Sequence, residues 1–220
     1  GEMRYVMKRS QIVAVLGEGA ADDLKAASGA DMIELRLDLS TEPIQTIKAI
    51  REATEKPIIA TNRLQAEGGK FQGSERERIE LLVWASEYAD LVDIELQAEL
   101  REEFISQVSQ PAIVSYHDFQ GMPGIDELAA IKERMKMAGA AIAKIAVTPR
   151  SLKDDLDLLG FLLAADLPLC LIAMGDLGRH LRAVAPLYGS ALAYGYVRES
   201  TAPGQMSLAE LSSARELLKW

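Results

Sequence analysis

Short apolar segments alternate along the chain with amphipathic segments. Short runs rich in β-branched residues are typical of buried strands, and segments with an apolar residue every three or four positions are typical of helices. This alternation predicts parallel βα units. Eight such units in one chain predict a single (β/α)8 barrel spanning residues 1–220. The predicted strands are Gln11–Leu16, Met32–Leu37, Pro57–Thr61, Leu91–Leu96, Pro111–Ser115, Ala141–Val147, Pro168–Ile172 and Ser190–Tyr194.

The alternative fold is a doubly wound open sheet. Such a sheet more often has five or six strands, and its dinucleotide-binding loop, Gly-x-Gly-x-x-Gly, does not occur in this sequence. Helix starts are marked by serines that precede an acidic residue at capping distance, which supports the helices predicted between the strands. These pairs are Ser74 with Glu77, Ser151 with Asp154 and Ser207 with Glu210.

Two of the predicted strands alternate charged and aliphatic residues. They are Ile33–Asp38 and Val92–Leu96. A period of two places each charged set on one face of its strand. In a barrel the aliphatic face packs on the helices, so Glu34, Arg36, Asp93 and Glu95 are expected to point inward, towards the mouth. Charges in that position are costly unless they are paired or used.

Lys144 is the single charge in the apolar run Ala140–Val147. A buried ammonium costs several kcal/mol unless it is paired or loses its proton. A buried lysine is also readily converted to a neutral amine, which attacks carbonyl carbons. The alternative is a lysine at a strand end whose amine reaches water. Because apolar residues continue beyond Lys144, the catalytic interpretation is favoured.

Other candidate residues follow predicted strands, at the end of a barrel that carries catalytic chemistry. His117 follows the fifth strand, and its alternative interpretation is a histidine satisfied by a backbone carbonyl. Glu34 and Arg36 could be a structural ion pair. The loops after the third and eighth strands, and the segment after the seventh, have ordinary polar or turn interpretations besides a substrate-binding one. These segments carry Arg63, Glu67, Arg179, His180, Arg182, Thr201 and Gln205.

Composition narrows the classes of function. The chain of 220 residues has a net charge of −9, which argues against nucleic acid as a partner. No segment approaches the roughly 18–20 apolar residues of a membrane span. Gly1–Ser10 lacks the apolar core of a secretory signal, and Gly1-Glu2 before Met3 is interpreted as a cloning remnant. The single cysteine, Cys170, is interpreted as a buried apolar side chain and indicates a cytoplasmic location. No metal-ligand spacing is present.

Taken in order, the candidate segments resemble the type I 3-dehydroquinate dehydratase family, a Schiff-base class of the shikimate pathway. No single motif is decisive, but the ordered set covers nearly the whole chain. The matching stretches are Glu34–Asp38, Arg63 with Glu67–Gly69, Asp93–Leu96, Ser115–Phe119, Lys144–Ala146, Arg182 with Gly189–Ala191, and Ala202–Gln205.

The resemblance implies a role for each candidate residue. Lys144 corresponds to the lysine that forms an imine with the substrate ketone, and His117 to the general acid and base. Glu67 corresponds to the carboxylate that orients the histidine and is expected to raise its pKa. The remaining residues correspond to substrate-binding positions, with Arg182 as the arginine that binds the substrate carboxylate. These positions are Glu34, Arg36, Arg63, Arg182, Thr201 and Gln205.

The resemblance also implies no metal or organic cofactor and a homodimer. Thr201 departs from the serine expected at its position, although it keeps the hydroxyl. Two alternatives stay open. A class I aldolase would share the lysine and the barrel. It would need a phosphate-binding site of glycine-rich backbone amides after the seventh and eighth strands. A non-catalytic barrel would bind a small carboxylate without consuming it.

Overall fold

A computed structural model describes residues 9–220. The interpretation of Gly1, Glu2 and Met3 therefore lies outside the described residues, as does most of the segment considered for a secretory signal. Eight strands alternate with helices from Gln11 onward, and a ninth strand has only two residues. The strands are β1 (Gln11–Leu16), β2 (Met32–Arg36), β3 (Ile58–Thr61), β4 (Leu91–Glu95), β5 (Ala112–Asp118), β6 (Ile142–Val147), β7 (Leu169–Ala173), β8 (Leu192–Tyr196) and β9 (Met206–Ser207).

The helices follow the strands in the predicted order. Capping-box hydrogen bonds are present at Ser74 and at Ser207, and the Ser151 hydroxyl accepts from the Asp154 amide. All three predicted helix starts are therefore confirmed. The helices are α1 (Ala20–Asp23), α2 (Pro43–Ala53), α3 (Glu75–Ser86), α4 (Arg101–Gln107), α5 (Ile125–Met137), α6 (Leu152–Leu163), α7 (Gly175–Val184) and α8 (Leu208–Leu218).

All strand pairs are parallel, and the sheet curls until its edges meet. The order is β7-β6-β5-β4-β3-β2-β1-β8-β9. The β7 and β8 edges come together where the Ala191 amide donates to the Leu169 carbonyl at 2.8 Å. Beside that bond, the Leu171 amide donates to the Ser190 hydroxyl at 3.0 Å. The predicted (β/α)8 barrel is confirmed.

Buried apolar side chains form two clusters, one on each face of the sheet. The larger cluster joins the outward faces of the strands to the helices and includes Ile33, Leu35 and Ile94. The smaller cluster lies inside the barrel and includes Val13, Met32, Ile59, Leu91, Ile113 and Ile142. Because Ile33, Leu35 and Ile94 belong to the outer cluster, the charged residues that alternate with them point inward, as the alternation predicts.

Candidate active site

One cavity at the mouth of the barrel collects the predicted site residues. Together with the open space at the mouth it measures about 520 Å³, and all nine predicted catalytic and substrate-binding residues line it. They come from the three strands β2, β5 and β6 and from the segments after β3, β7 and β8, so the fold brings together positions that are far apart in sequence. The nine are Glu34, Arg36, Arg63, Glu67, His117, Lys144, Arg182, Thr201 and Gln205.

Lys144 points into this cavity from β6. Its side chain is 5% exposed, and its Nζ lies 3.3 Å from Asp93 Oδ2. The buried ammonium is therefore paired, which is the first of the two solutions open to a buried charge. The Nζ also lies 4.2 Å from the centroid of the Tyr194 ring. A cation over an aromatic face is stabilised by the ring quadrupole.

Asp93 and Arg63 form a buried ion pair beneath the cavity. The two terminal nitrogens of Arg63 donate to the two oxygens of Asp93, at 2.8 and 3.0 Å. Arg63 also donates to Glu95 at 2.6 Å, and the Ser115 hydroxyl donates to Asp93 at 2.7 Å. Arg63 and Lys144 outweigh the effect of burial and hold the pKa of Asp93 well below its ordinary value.

Glu95 extends this ion pair to the outer helices. Its second oxygen accepts from Arg78 of α3 at 2.9 Å, and Arg78 also donates to the Asn62 carbonyl at 2.7 Å. Each carboxylate of β4 therefore has a guanidinium partner. Buried charges that are paired and hydrogen-bonded in this way hold one geometry, because removing either partner leaves the other uncompensated.

His117 and Glu67 form a second pair at the rim. The His117 Nδ1 lies 3.0 Å from Glu67 Oε1, and the same oxygen accepts the His117 backbone amide at 2.8 Å. Glu67 ends a 3₁₀ turn, Gln65–Glu67, and is 3% exposed. Because Glu67 occupies Nδ1, exchange of a proton with a bound molecule falls to Nε2 of the ring.

The expectation of a raised pKa at His117 is wrong. Burial lowers the pKa of His117 well below its ordinary value, and the charges of Arg63 and Lys144 lower it further. Burial raises the pKa of Glu67 to about 7, with the nearby charge of Glu95 acting in the same direction. The family resemblance implied the carboxylate beside the histidine, but it gave neither the burial of His117 nor the effect of Arg63 and Lys144. A neutral imidazole is the form that accepts a proton.

Hydrogen-bond donors lie on the opposite side of the cavity, namely the guanidinium of Arg182 and the side-chain amide of Gln205. Arg182 of α7 is 7% exposed and donates one bond, at 3.1 Å, to the Pro203 carbonyl of the loop after β8. The Gln205 Oε1 accepts from the amide and the hydroxyl of Thr201, at 2.7 and 3.0 Å. This arrangement leaves the amide nitrogen of Gln205 and further donors of Arg182 for a bound anion.

Glu34 and Arg36 are not paired with each other. Glu34 accepts from the Thr61 hydroxyl at 2.8 Å, and Arg36 makes a two-point contact with Asp38 at 2.8 and 2.9 Å. Despite burial, the contact with Arg36 lowers the pKa of Asp38. Both residues line the cavity. The alternative interpretation of a structural ion pair between Glu34 and Arg36 is therefore wrong.

Other candidates lie away from the cavity. Arg179 pairs with Glu210 at 2.8 Å, and the His180 side chain is 55% exposed. Cys170 is buried inside the barrel, where burial raises the pKa of its thiol to about 11. Across residues 9–220, no helix is long and apolar enough to cross a membrane. Within that range, no three His, Cys, Asp or Glu side chains are arranged to hold a metal ion.

The sequence profile of the type I 3-dehydroquinase family matches residues 14–219. The chain belongs to this family. It is therefore a 3-dehydroquinate dehydratase, a hydro-lyase of the shikimate pathway.

Similar proteins agree with this assignment. The chain is 51% identical to the 3-dehydroquinate dehydratase of Methanothrix thermoacetophila, over 96% of this chain and 93% of the relative. It is 39% identical to the enzyme of that name from Methanococcoides burtonii, over 96% of each. The crystal structure of the Geobacillus kaustophilus dehydratase superposes with a TM-score of 0.88 at 29% identity. That match covers 96% of this chain and 92% of the other.

Two residues of this dehydroquinase site were not found by sequence reasoning. Tyr194 lines the cavity from β8, and Phe119 stacks beside His117 with ring centroids 6.1 Å apart. A period of two along β8 places Leu192 and Tyr194 on one face, so the alternation carried a signal for Tyr194. The stacking of Phe119 depends on the path of the chain after β5, and no spacing in the sequence indicates it.

Proposed function

We propose that this dehydratase acts through a covalent imine between Lys144 and the C3 ketone of 3-dehydroquinate. Within the described residues, Lys144 is the one lysine that lines the cavity, and its Nζ lies inside the barrel beside Asp93. The His117–Glu67 pair lines the same cavity. This combination of a buried amine with a neutral imidazole carries the proposal, because covalent catalysis by lysine requires both a nucleophile and a proton acceptor.

The proposed reaction has four steps. The Lys144 amine, after losing a proton, adds to C3. The ketone oxygen leaves as water, so that an iminium cation remains. His117 then takes a proton from C2, and the electrons of that C–H bond pass into the iminium to give a neutral enamine. The enamine electrons next form the C1–C2 double bond as the C1 hydroxyl leaves as water, with the proton supplied by His117. Hydrolysis of the iminium releases 3-dehydroshikimate and the amine.

The neutral state of His117 supports its role as the base. Its lowered pKa leaves the imidazole free to accept a proton at neutral pH, and Glu67 then stabilises the imidazolium that forms. The iminium is an electron sink adjacent to C2, which lowers the barrier to proton removal. Glu67 acts on the reaction through His117 and is its orienting carboxylate.

The remaining lining residues are proposed to bind the substrate. Arg182 and Gln205 supply donors for the carboxylate, and the Thr201 hydroxyl holds the Gln205 amide by its oxygen. The hydroxyl groups of the ring fit the polar wall of Glu34, Arg36 and Arg63. A hydroxyl donates to a carboxylate and accepts from a guanidinium, so a mixed wall suits a polyol.

Borohydride trapping tests the proposal. Incubation with 3-dehydroquinate and sodium borohydride should abolish activity and add the reduced ligand at Lys144, as read by peptide mass mapping. Lys153→Ala is the matched control, because the Lys153 side chain is 81% exposed on α6. Lys144→Ala should be inactive in the ultraviolet assay for the conjugated enone. Full activity of Lys144→Ala would exclude the imine mechanism.

His117→Ala separates the two chemical roles. We expect this variant to form the trapped adduct at Lys144 and yet to lose roughly 100-fold to 10,000-fold in turnover, the usual contribution of a general base. Near-normal turnover would remove His117 from the proposed mechanism. A panel that includes sugar phosphates tests the aldolase alternative with the same enzyme preparation.

Location and assembly are further proposals. A buried free thiol at Cys170 suits a reducing cytoplasm. A homodimer is supported by a row of exposed leucines on α6, Leu152, Leu156 and Leu163, which are 65%, 69% and 68% exposed. Light scattering during gel filtration should give twice the mass of the chain, and a monomer mass at micromolar concentration would reject the dimer.

A further inference from the structure

The aromatic ring of Tyr194 is placed against the reactive nitrogen. Tyr194 is 5% exposed, and the centroid of its ring lies 4.2 Å from Lys144 Nζ. A cation within about 6 Å of an aromatic centroid is attracted by the ring quadrupole, and the attraction grows when water is excluded. Both side chains are buried in the barrel, so water is excluded and the attraction between cation and ring is stronger than at an exposed site.

We propose that the ring of Tyr194 is a positioning group for the Lys144 nitrogen, and that it stabilises this nitrogen whenever it is cationic. This inference rests on the imine mechanism proposed above. The nitrogen is a cation as the ammonium and again as the iminium, whereas it is neutral in the amine that attacks and in the enamine. The ring therefore stabilises the resting ammonium and the iminium, and it does not stabilise the amine or the enamine.

Asp93 shares this task, but its contribution is of a different kind. Its carboxylate pairs with Lys144 at 3.3 Å and also binds Arg63 through both oxygens. Because the stronger bonds of Asp93 go to Arg63, its charge is divided between two cations. Among the described residues, Lys144 is the one lysine or arginine whose charged group lies over the Tyr194 ring.

Several titratable groups face the same nitrogen from the surrounding strands. They stay in place in any variant of Tyr194, so a substitution there changes one contribution while the others persist. The groups are Glu34 on β2, Arg63 after β3, Asp93 on β4, His117 on β5, Cys170 on β7 and Arg182 on α7.

The hydroxyl of Tyr194 is separable from its ring. This hydroxyl is buried and has no hydrogen-bond partner within the described residues. Tyr194→Phe removes the hydroxyl and keeps the ring face, whereas Tyr194→Leu removes the ring. Tyr194→Met also removes it but fills more of the space, so it serves as a second variant if the leucine protein does not fold. Tyr196→Leu is the matched control, because Tyr196 lies on the same strand but does not line the cavity.

Competitive labelling with cyanate measures the effect without using the reaction. Cyanate carbamylates unprotonated amines, and peptide mass mapping reports each lysine separately. The rate at Lys144 is divided by the rate at the exposed Lys153 and followed from pH 6.5 to 10. We expect the pH midpoint of this ratio to fall by about half to one and a half pH units in Tyr194→Leu and Tyr194→Met. Tyr194→Phe and Tyr196→Leu should keep the wild-type midpoint.

Two results would overturn the proposal. One is a wild-type midpoint in folded Tyr194→Leu or Tyr194→Met, and the other is a fall in Tyr194→Phe as large as in those variants. The second result would assign the effect to the hydroxyl. Failure of the imine mechanism is seen separately, because borohydride with 3-dehydroquinate would then leave wild-type Lys144 unlabelled whatever the cyanate midpoints are.

Discussion

Glu67 lowers the stability of the fold at alkaline pH because it is buried beside other carboxylates. Its pKa lies at about 7 in the folded chain against an ordinary value of 4.5. At about 1.4 kcal/mol per unit, this rise corresponds to about 3 kcal/mol. A raised pKa gives stability that is fully present below pH 4.5 and is lost as the pH rises through 7. The folded state therefore carries a penalty of about 3 kcal/mol above pH 8.

Glu67→Gln removes this penalty while keeping an oxygen that accepts the His117 amide. We expect the variant to gain about 3 kcal/mol in free energy of unfolding at pH 8.5, relative to any difference from wild type at pH 4.5. Turnover should fall, because a neutral amide stabilises the imidazolium less well than a carboxylate. Stability and activity should thus move in opposite directions at a single position.

Urea unfolding followed by circular dichroism at pH 4.5, 6, 7, 8 and 8.5 measures the effect. His117 contributes in the other sense, since a lowered histidine pKa gives stability that is lost as the pH falls below 6.5. Comparing the two proteins at each pH cancels most of that contribution. Glu216→Gln on the exposed face of α8 is the control and should show no pH-dependent difference. A constant difference between Glu67→Gln and wild type from pH 4.5 to 8.5 would refute the reasoning.

Three further predictions concern the cavity. Asp93→Asn leaves Arg63 and Lys144 undercompensated and should lower the free energy of unfolding by about 3–5 kcal/mol in urea denaturation; a loss below 1 kcal/mol, set against Asp157→Asn on the surface, would show that the charges rearrange. Tyr194→Phe deletes a buried hydroxyl that has no hydrogen-bond partner among residues 9–220 and should raise the free energy of unfolding by about 1–3 kcal/mol; a decrease would reveal a partner for that hydroxyl. Gly68→Ala should lower stability by calorimetry, because Gly68 has φ +95° and an added Cβ would lie 3.0 Å from the Phe119 ring; Gly124→Ala, where an added Cβ meets nothing within 4 Å, is its control.

The fold was largely predictable because a barrel repeats one local pattern. Each predicted strand overlaps an observed one, and β1 has the predicted bounds. The alternation in β2 and β4 placed Glu34 and Asp93 inside the barrel before any contact was known. The bounds differ most at β5, which continues to Asp118 and includes His117. The polar residues at the end of β5 are part of the strand because they pair with β6. This tertiary pairing cannot be predicted from the local sequence pattern.

The partners of the site residues were less predictable. Which charge faces which depends on register between strands, and Asp93 pairs with both Lys144 and Arg63 only because three strands bring them together. The direction of the His117 pKa was predicted wrongly for the same reason. The family resemblance implied the carboxylate partner, whereas the distances from His117 to Arg63 and Lys144 and its depth of burial depend on the three-dimensional fold.

The apolar cluster inside the barrel makes the site a blind-ended chamber. Val13, Met32, Ile59, Leu91, Ile113 and Ile142 plug the interior below the charged residues. Among the described residues, the mouth of the barrel is therefore the opening through which substrate enters and product leaves. In the proposed mechanism, the water lost from the ring and the water that hydrolyses the iminium use the same opening. The route of substrate, water and product is thus determined by the apolar residues at the base of the barrel rather than by the catalytic groups.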